Sequence, residues 1–234
     1  MARTAPPVPV GPSRWELPDP RDCDAEGLVG VGGDLAPATL VDAYASGVFP
    51  WPHGRLRLPW FSPDPRAVVQ LDELHVSRSL RRTLRRSGWT TTLDAAFDDV
   101  VRCCGVDRPE GTWITPAMAR AYARLAQLGW AHSLEVWDGD RLVGGVYGVL
   151  VGTVFTGESM FHRADDASKV ALHDLCARLS EAGGTLLDAQ LPTPHLASLG
   201  FRTWSRERFL DHLEAARDRQ VRPCTDRLPV DRLV

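Results

Sequence analysis

The 234-residue chain is 44% hydrophobic and 24% charged, an ordinary composition for one large globular unit or a small one joined to a mid-sized one. Its formal net charge of -3 excludes a generally basic nucleic-acid binder, so positive character has to be sought locally. No apolar run approaches the roughly 18 residues of a membrane span, and the start ARTAPPVPVGPSR lacks an apolar signal core. A cytoplasmic protein with a disordered tail over residues 1–14 is therefore expected.

After that tail, PATLVDAYASG predicts a short helix, with Pro37 in its first turn, Leu40, Val41 and Tyr44 at helical spacing and Gly47 as its stop. Residues 48–67, VFPWPHGRLRLPWFSPDPRA, hold neither period and read as an ordered connection closing a small N-terminal domain over 15–64. The remaining residues, 65–234, form the second domain. Helices follow over Ser77–Ser87 and Asp94–Cys104, and then TWITPAMARAYARLAQLG predicts a third, with Thr115 as cap, Pro116 at the first position and Gly129 as terminator.

From Ala131 to Phe161 the period falls to two, which predicts an antiparallel meander turning at Asp138-Gly139 and near Gly152. DASKVALHDLCARLSEAGG predicts a helix capped by Asp165 or Asp166 and ended by Gly183-Gly184. That helix delivers the chain into the strand TLLDAQL, which must then lie parallel and adjacent to TVFTGESMF. The expected fold class is α/β in the mixed α+β sense, a largely antiparallel sheet flanked by helices.

Alternation along the last strand puts Asp188 and Gln190 on one face, with Leu187, Ala189 and Leu191 on the other. The same period places Glu158 and Met160 together on the neighbouring strand, so Glu158, Asp188 and Gln190 can line one pocket with Met160 as its apolar wall. The competing reading pairs the two acids with arginines or backbone amides inside the core. Trp51, Trp60 and Trp113 are candidates for stacking on a nucleobase, against the commoner role of tryptophan in a core. Arg78, Arg81, Arg82, Arg85 and Arg86 recur at three and four residues with no acid among them, a positive stripe suited to RNA phosphates or simply to water. Lys169 is the only lysine, which can mark a place where a compact ammonium is wanted.

Five cysteines without a CxxC argue against a disulfide framework and a zinc site, and the histidines form no HExxH. His132, His162 and His195 flank the proposed site. GLVGVGGD lacks the strand and helix flanks of a nucleotide loop, and there is no GxSxG elbow.

The blocks GLVGVGGDL, GVFPW, WFSPDPRAVV, HVSRSLRRTLR, TWITPAM, GTVFTGESMFHR, DASKVAL and TPHLASLG, in this order over about residues 15–213, resemble the leucyl/phenylalanyl-tRNA protein transferase family. The resemblance implies transfer of leucine, phenylalanine or less readily methionine from aminoacyl-tRNA to proteins with N-terminal Arg or Lys, marking them for the N-degron pathway. It implies a catalytic domain similar to the N-acetyltransferase superfamily; no cofactor, no metal and a monomer are expected. Carried onto this chain, the catalytic pair is Asp188 and Gln190, with Glu158 as third polar residue. Trp51 and Trp113 match the aromatics that hold the terminal adenosine. Val146, Met160, Leu172 and Leu175 would line the pocket for the transferred side chain, with Ser168 and Lys169 beside it.

Three departures stand out: Trp60-Phe61 where the family usually has two tryptophans, Ala189 where it has cysteine, and Val146 where it often has methionine. In the implied chemistry Asp188, oriented through Gln190, accepts or relays a proton from the acceptor amine while Glu158 orients the substrates. The other division has Asp188 bind the ammonium and leaves the proton shuttle to tRNA hydroxyls. Two rivals are an acetyl-CoA-dependent N-acyltransferase, for which no pyrophosphate loop precedes DASKVAL, and a non-catalytic RNA-binding module.

Overall fold

The computed structural model describes residues 1–24, 26–52, 57–106 and 112–234. Near the N-terminus, strand β1 (Leu28–Val31), helix α1 (Pro37–Ala45), β2 (Phe49–Pro50) and β3 (Pro59–Phe61) form a unit around a three-stranded sheet in the order β1-β3-β2. Pro37 begins α1 with its φ already set, and Gly47 ends it at a φ of +74° that a side chain would strain. A Cβ on Gly47 would also stand 2.4 Å from Leu210. The stretch read as a connection thus holds β2 and β3, whose two and three residues are too short for any period to register.

The larger sheet takes its strands from both ends of the chain. In order they are β4 (Arg66–Gln70), β5 (Thr90–Leu93), β6 (Ala131–Asp138), β7 (Arg141–Val151), β8 (Val154–His162), β9 (Leu186–Asp188), β10 (Arg202–Trp204) and β11 (Leu228–Pro229). Between them run α2 (Arg78–Arg86), α3 (Phe97–Gly105), α4 (Pro116–Gln127), α5 (Ala167–Glu181), α6 (Pro194–Ser198) and α7 (Arg206–Ala216). The spatial order is β10-β4-β9-β8-β7-β6-β5-β11, and only β8 with β9 is parallel. This is the mixed α/β class and the parallel neighbour relation expected from the crossover helix.

Helices cover both faces. α5 packs Val170, Leu175 and Leu179 on Val146, Leu150, Phe155 and Leu187, and it comes so near β7 that a Cβ on Gly144 would meet Ala167 at 2.7 Å. On the other face α1, α3 and α4 bury Tyr44, Val100 and Tyr122 against Tyr147, Val149 and Val151. α7 closes a third cluster, Phe209, Leu210 and Leu213 on Val68, Val154 and Leu186. No helix among the described residues is long and apolar enough to cross a membrane.

Two irregularities open the sheet around β8. β7 pairs Tyr147 with Ser159 and then Gly148 with Gly157, so Glu158 is a bulged residue with no partner across the ladder. Gly148 makes this possible, since a Cβ there would stand 2.1 Å from the Thr156 carbonyl. The second irregularity is that β8 and β9 pair only at Val154–Thr156 and Leu186–Asp188, after which the strands part.

Some boundaries differ from expectation. α3 begins at Phe97 because Asp94, at φ +61°, is instead bonded to Ser133 N and His132 Nδ1. Of the two cap candidates Asp166 stands at the start of α5, but in a left-handed conformation and without a side-chain capping bond. The segment read as a disordered tail lies hydrogen-bonded along the body, through Thr4 N to Pro223 O, Val8 N to Leu128 O and Trp130 Nε1 to Val8 O.

Candidate active site

Where β8 and β9 part, a cavity of about 430 Å³ opens between the segments 157–160 and 187–191. Its floor is polar and its walls are apolar, and the polar floor is built in two layers.

The deeper layer is Asp188, with no exposed surface. Arg66 on the adjoining β4 spans both of its oxygens, Nε to Oδ1 at 2.8 Å and Nη2 to Oδ2 at 2.7 Å. Thr156 Oγ1 adds a bond to Oδ2, and the backbone N–H of Gln190 adds one to Oδ1. The Arg66 guanidinium is sandwiched over the rings of Phe209 and Phe49 and also bonds the Gly47 carbonyl. Four donors occupy the two carboxylate oxygens, so Asp188 has no acceptor position left for a substrate amine. The reading of buried acids satisfied by arginine and backbone holds for this residue.

The upper layer is Gln190 and Glu158. β9 ends at Asp188, and Gln190 takes φ +60°, held there by its carbonyl bond from Ala67 N. The expected alternation through Gln190 and Leu191 is therefore broken by a turn, and Ala189, expected on the opposite face, lines the cavity as Gln190 does. The Gln190 side chain gives Nε2 to Glu158 Oε1 at 3.1 Å, while its own oxygen has no partner among the described residues. Tyr44 Oη stands 2.7 Å from Glu158 Oε1 and Tyr122 Oη 2.9 Å from Oε2, each at hydrogen-bond distance. Burial pushes the Glu158 pKa up to about 7; the two tyrosine hydroxyls oppose that, nearby Asp188 adds to it, and Arg66 opposes it.

The bulge also separates Glu158 from Met160, which were expected on one face. Glu158 turns toward Tyr44 and Tyr122 in the cluster under α1 and α4, while Met160 packs on the α5 side. Both still line the cavity, because it lies in the gap between diverging strands and is reached from either face.

Of the wall residues expected from sequence, Trp51, Trp113, Val146, Met160 and Leu172 are in place. Ser168, Lys169 and Leu175 are not among the lining residues. Leu175 is buried in the core under α5, Ser168 is buried at its first turn, and Lys169 pairs with Asp166 at 2.7 Å. Trp60 takes the core role: it is buried, with Nε1 on the Gly32 carbonyl, and stays outside the cavity. GLVGVGGD accordingly serves as a strand and turn against Trp60.

His195 and Phe201 line the mouth and the wall. Arg66, Tyr44 and Tyr122 were missed as site residues. The signal for Arg66 was a charge opening the otherwise apolar strand RAVVQ, whereas the two tyrosines sat on helical stripes that read equally well as core.

The arginine stripe is real as geometry. α2 buries Leu80 and Leu84 and exposes Arg78, Arg81, Arg82, Arg85 and Arg86, none of which makes an ion pair among the described residues. Thr83 Oγ1 ties this helix to Asp166 at the start of α5, whose Leu172 lines the cavity.

Comparison with known proteins gives the family. A family model described as "Leucyl/phenylalanyl-tRNA protein transferase" matches residues 68–214, and its N-terminal domain model matches residues 33–64. A curated relative named leucyl/phenylalanyl-tRNA protein transferase, from Shewanella denitrificans, is 51% identical over 81% of this chain and 82% of its own. Relatives of the same name from Chromohalobacter salexigens and Anaeromyxobacter sp. are 52% and 49% identical, covering 82% and 89% of this chain and 75% and 90% of theirs. With both domain models in place and half of the residues shared along nearly the whole fold, the chain belongs to the leucyl/phenylalanyl-tRNA protein transferase family.

Proposed function

We propose that the protein moves leucine or phenylalanine, and methionine less readily, from aminoacyl-tRNA to the α-amine of proteins that begin with Arg or Lys. The observation that carries this reading is the Gln190 amide oxygen, without a partner among the described residues, at an apolar cavity of the size of an amino-acid side chain and its ester. Trp51 and Trp113 at the rim stack on the terminal adenosine. Val146, Met160 and Leu172 take the transferred side chain, and the arginines of α2 hold tRNA phosphates.

The aminoacyl ester is already activated, so the protein mainly positions the reactants. The neutral α-amine donates an N–H to the Gln190 oxygen, which aims its lone pair at the ester carbonyl. The C–N bond forms, the ester C–O bond breaks, and the amine proton ends on the ribose hydroxyl that leaves. Asp188, saturated by four donors, is a positioning residue: it fixes the backbone of Gln190 from below and takes no proton. Glu158 holds the Gln190 amide from the side.

The test is to mix the purified protein with radiolabelled Leu-tRNA or Phe-tRNA and peptides that begin with Arg or with Asp. Label entering only the Arg peptide is the expected result, and Gln190→Ala should lower the rate about 100-fold, as for loss of one oriented polar contact to a reacting group. No label in either peptide overturns the reading and favours an acetyl-CoA-dependent acyltransferase or an RNA-binding module.

A further inference from the structure

We propose that Tyr44 and Tyr122 are positioning residues that join Glu158, present as a neutral acid, in a closed ring of three hydrogen bonds that fixes the side chain of Gln190. The inference rests on the function proposed above and adds the protonation state and two residues to it.

Three contacts join three groups: Tyr44 Oη with Glu158 Oε1 at 2.7 Å, Tyr122 Oη with Glu158 Oε2 at 2.9 Å, and the two hydroxyls with each other. Each hydroxyl carries one proton. Were Glu158 ionised, two protons would serve three contacts, and one pair of oxygens would face each other bare inside the protein. With Glu158 neutral every contact has its proton: Tyr44 donates to Oε1, the protonated Oε2 donates to Tyr122, and Tyr122 donates to Tyr44.

Oε1 keeps a lone pair for Gln190 Nε2, at 3.1 Å. Because the amide is planar, holding Nε2 against Glu158 points the Gln190 oxygen the other way, toward the cavity. Neither Tyr44 nor Tyr122 lines that cavity, and both are buried, so their effect on substrate must pass through Glu158.

The charges that face Glu158 come from every side. Asp188 on β9 favours the neutral form, as does burial itself; Arg66 on β4 favours the charged form, as does a hydroxyl of α1 or α4 when it donates to the carboxylate, and the balance lies near pH 7. Tyr147 on β7 sets its ring edge against Tyr122.

Two arms test the ring. In single-turnover transfer, Glu158→Ala should lower the rate about 100-fold through loss of position, and Glu158→Gln should recover most of that loss, since its oxygen and NH₂ can fill the same ring. The wild type should lose rate as pH rises through about 7, while Glu158→Gln should keep rising with the free amine of the acceptor, near pH 8. Tyr44→Phe and Tyr122→Phe should lower kcat and leave the KM for Phe-tRNA unchanged. In the second arm, infrared difference spectra of wild type minus Glu158→Gln should hold a protonated-carboxyl band below about pH 6 that fades above 7.

A Glu158→Gln protein as inactive as Glu158→Ala, Tyr→Phe variants with wild-type kcat, or a difference spectrum without the band would each overturn the ring. Absence of transfer by the wild type would instead refute the proposed function, and the infrared arm would still decide the state of Glu158.

Discussion

Arg66 and Asp188 meet through two parallel hydrogen bonds of 2.8 and 2.7 Å, and neither side chain reaches solvent. Breaking such a pair from one side costs about 3–5 kcal/mol, because the survivor remains charged in an apolar setting. Arg66→Met should therefore lower the unfolding free energy by about that amount, seen as a lower urea midpoint, and lose transfer. Adding Asp188→Asn should restore part of the stability and none of the rate, since asparagine offers one acceptor oxygen where Thr156 and Gln190 need two. Urea titration and single-turnover transfer on the same samples separate the two effects.

Charge reversal on α2 addresses tRNA binding without touching the cavity. The triple change Arg81→Glu, Arg82→Glu, Arg85→Glu should raise the KM for aminoacyl-tRNA and leave the single-turnover rate at saturation. The salt dependence of binding should flatten by about one unit of slope for each phosphate no longer neutralised. Filter binding across a salt series reads this out; an unchanged slope would detach the stripe from the tRNA.

Pocket volume should set the donor preference. Val146 faces Met160 across the β7–β8 ladder and lines the cavity, so Val146→Met fills space that the phenylalanine ring would use. The ratio of Leu to Phe transfer should rise, by roughly tenfold, since differences of about one methylene are worth 1 to 3 kcal/mol. Competition between the two charged tRNAs in one tube measures the ratio directly.

A second buried acid lies on β6. Glu135 is fully buried, and burial pushes its pKa to about 7 although Ser133, Thr92 and the Ala95 N–H bond it; the charge of Asp94 adds to the rise. The folded state therefore binds its proton more tightly than the unfolded state does. That protonation favours folding fully below about pH 4.5, and the advantage is lost as pH rises to about 7, at about 1.4 kcal/mol per unit. Glu135→Gln should gain stability relative to wild type between about pH 5 and pH 8, by on the order of 2–3 kcal/mol. Thermal melts of both proteins at the two pH values give the answer, and a constant difference would show that Glu135 does not titrate in this range.

Much of the catalytic unit could be read from periodicity alone. The meander, α4 with its Thr115 cap and Pro116 start, and α5 with its glycine stop carry long patterns, and long patterns survive tertiary context. β4, β5 and β10, at three to five residues, did not show as strands, because their partners lie elsewhere in the chain and supply the hydrogen bonds that define them.

At the site, Asp188, Gln190 and Glu158 were visible as polar residues inside apolar strands, yet their directions were not. A bulge at Glu158 and a positive φ at Gln190 each break the rule of alternate faces, and both depend on packing that single-residue spacing does not encode. Tyr44 and Tyr122 were hidden for a different reason, since a tyrosine on a buried stripe reads as core until its hydroxyl's partner is known.

The place of β4 between β10 and β9 bears on how the molecule is assembled. Its residues pair with β9 and β10, and the Arg66–Asp188 bond alone joins positions 122 apart in sequence. Closing a loop of that length before any contact rewards it is entropically slow, so the floor of the cavity belongs to the late, high-contact-order part of folding. A nascent chain can complete the meander from neighbours close in sequence. It gains a working site only when β9 has been synthesised and has taken its place beside β4, so truncated products should remain inert.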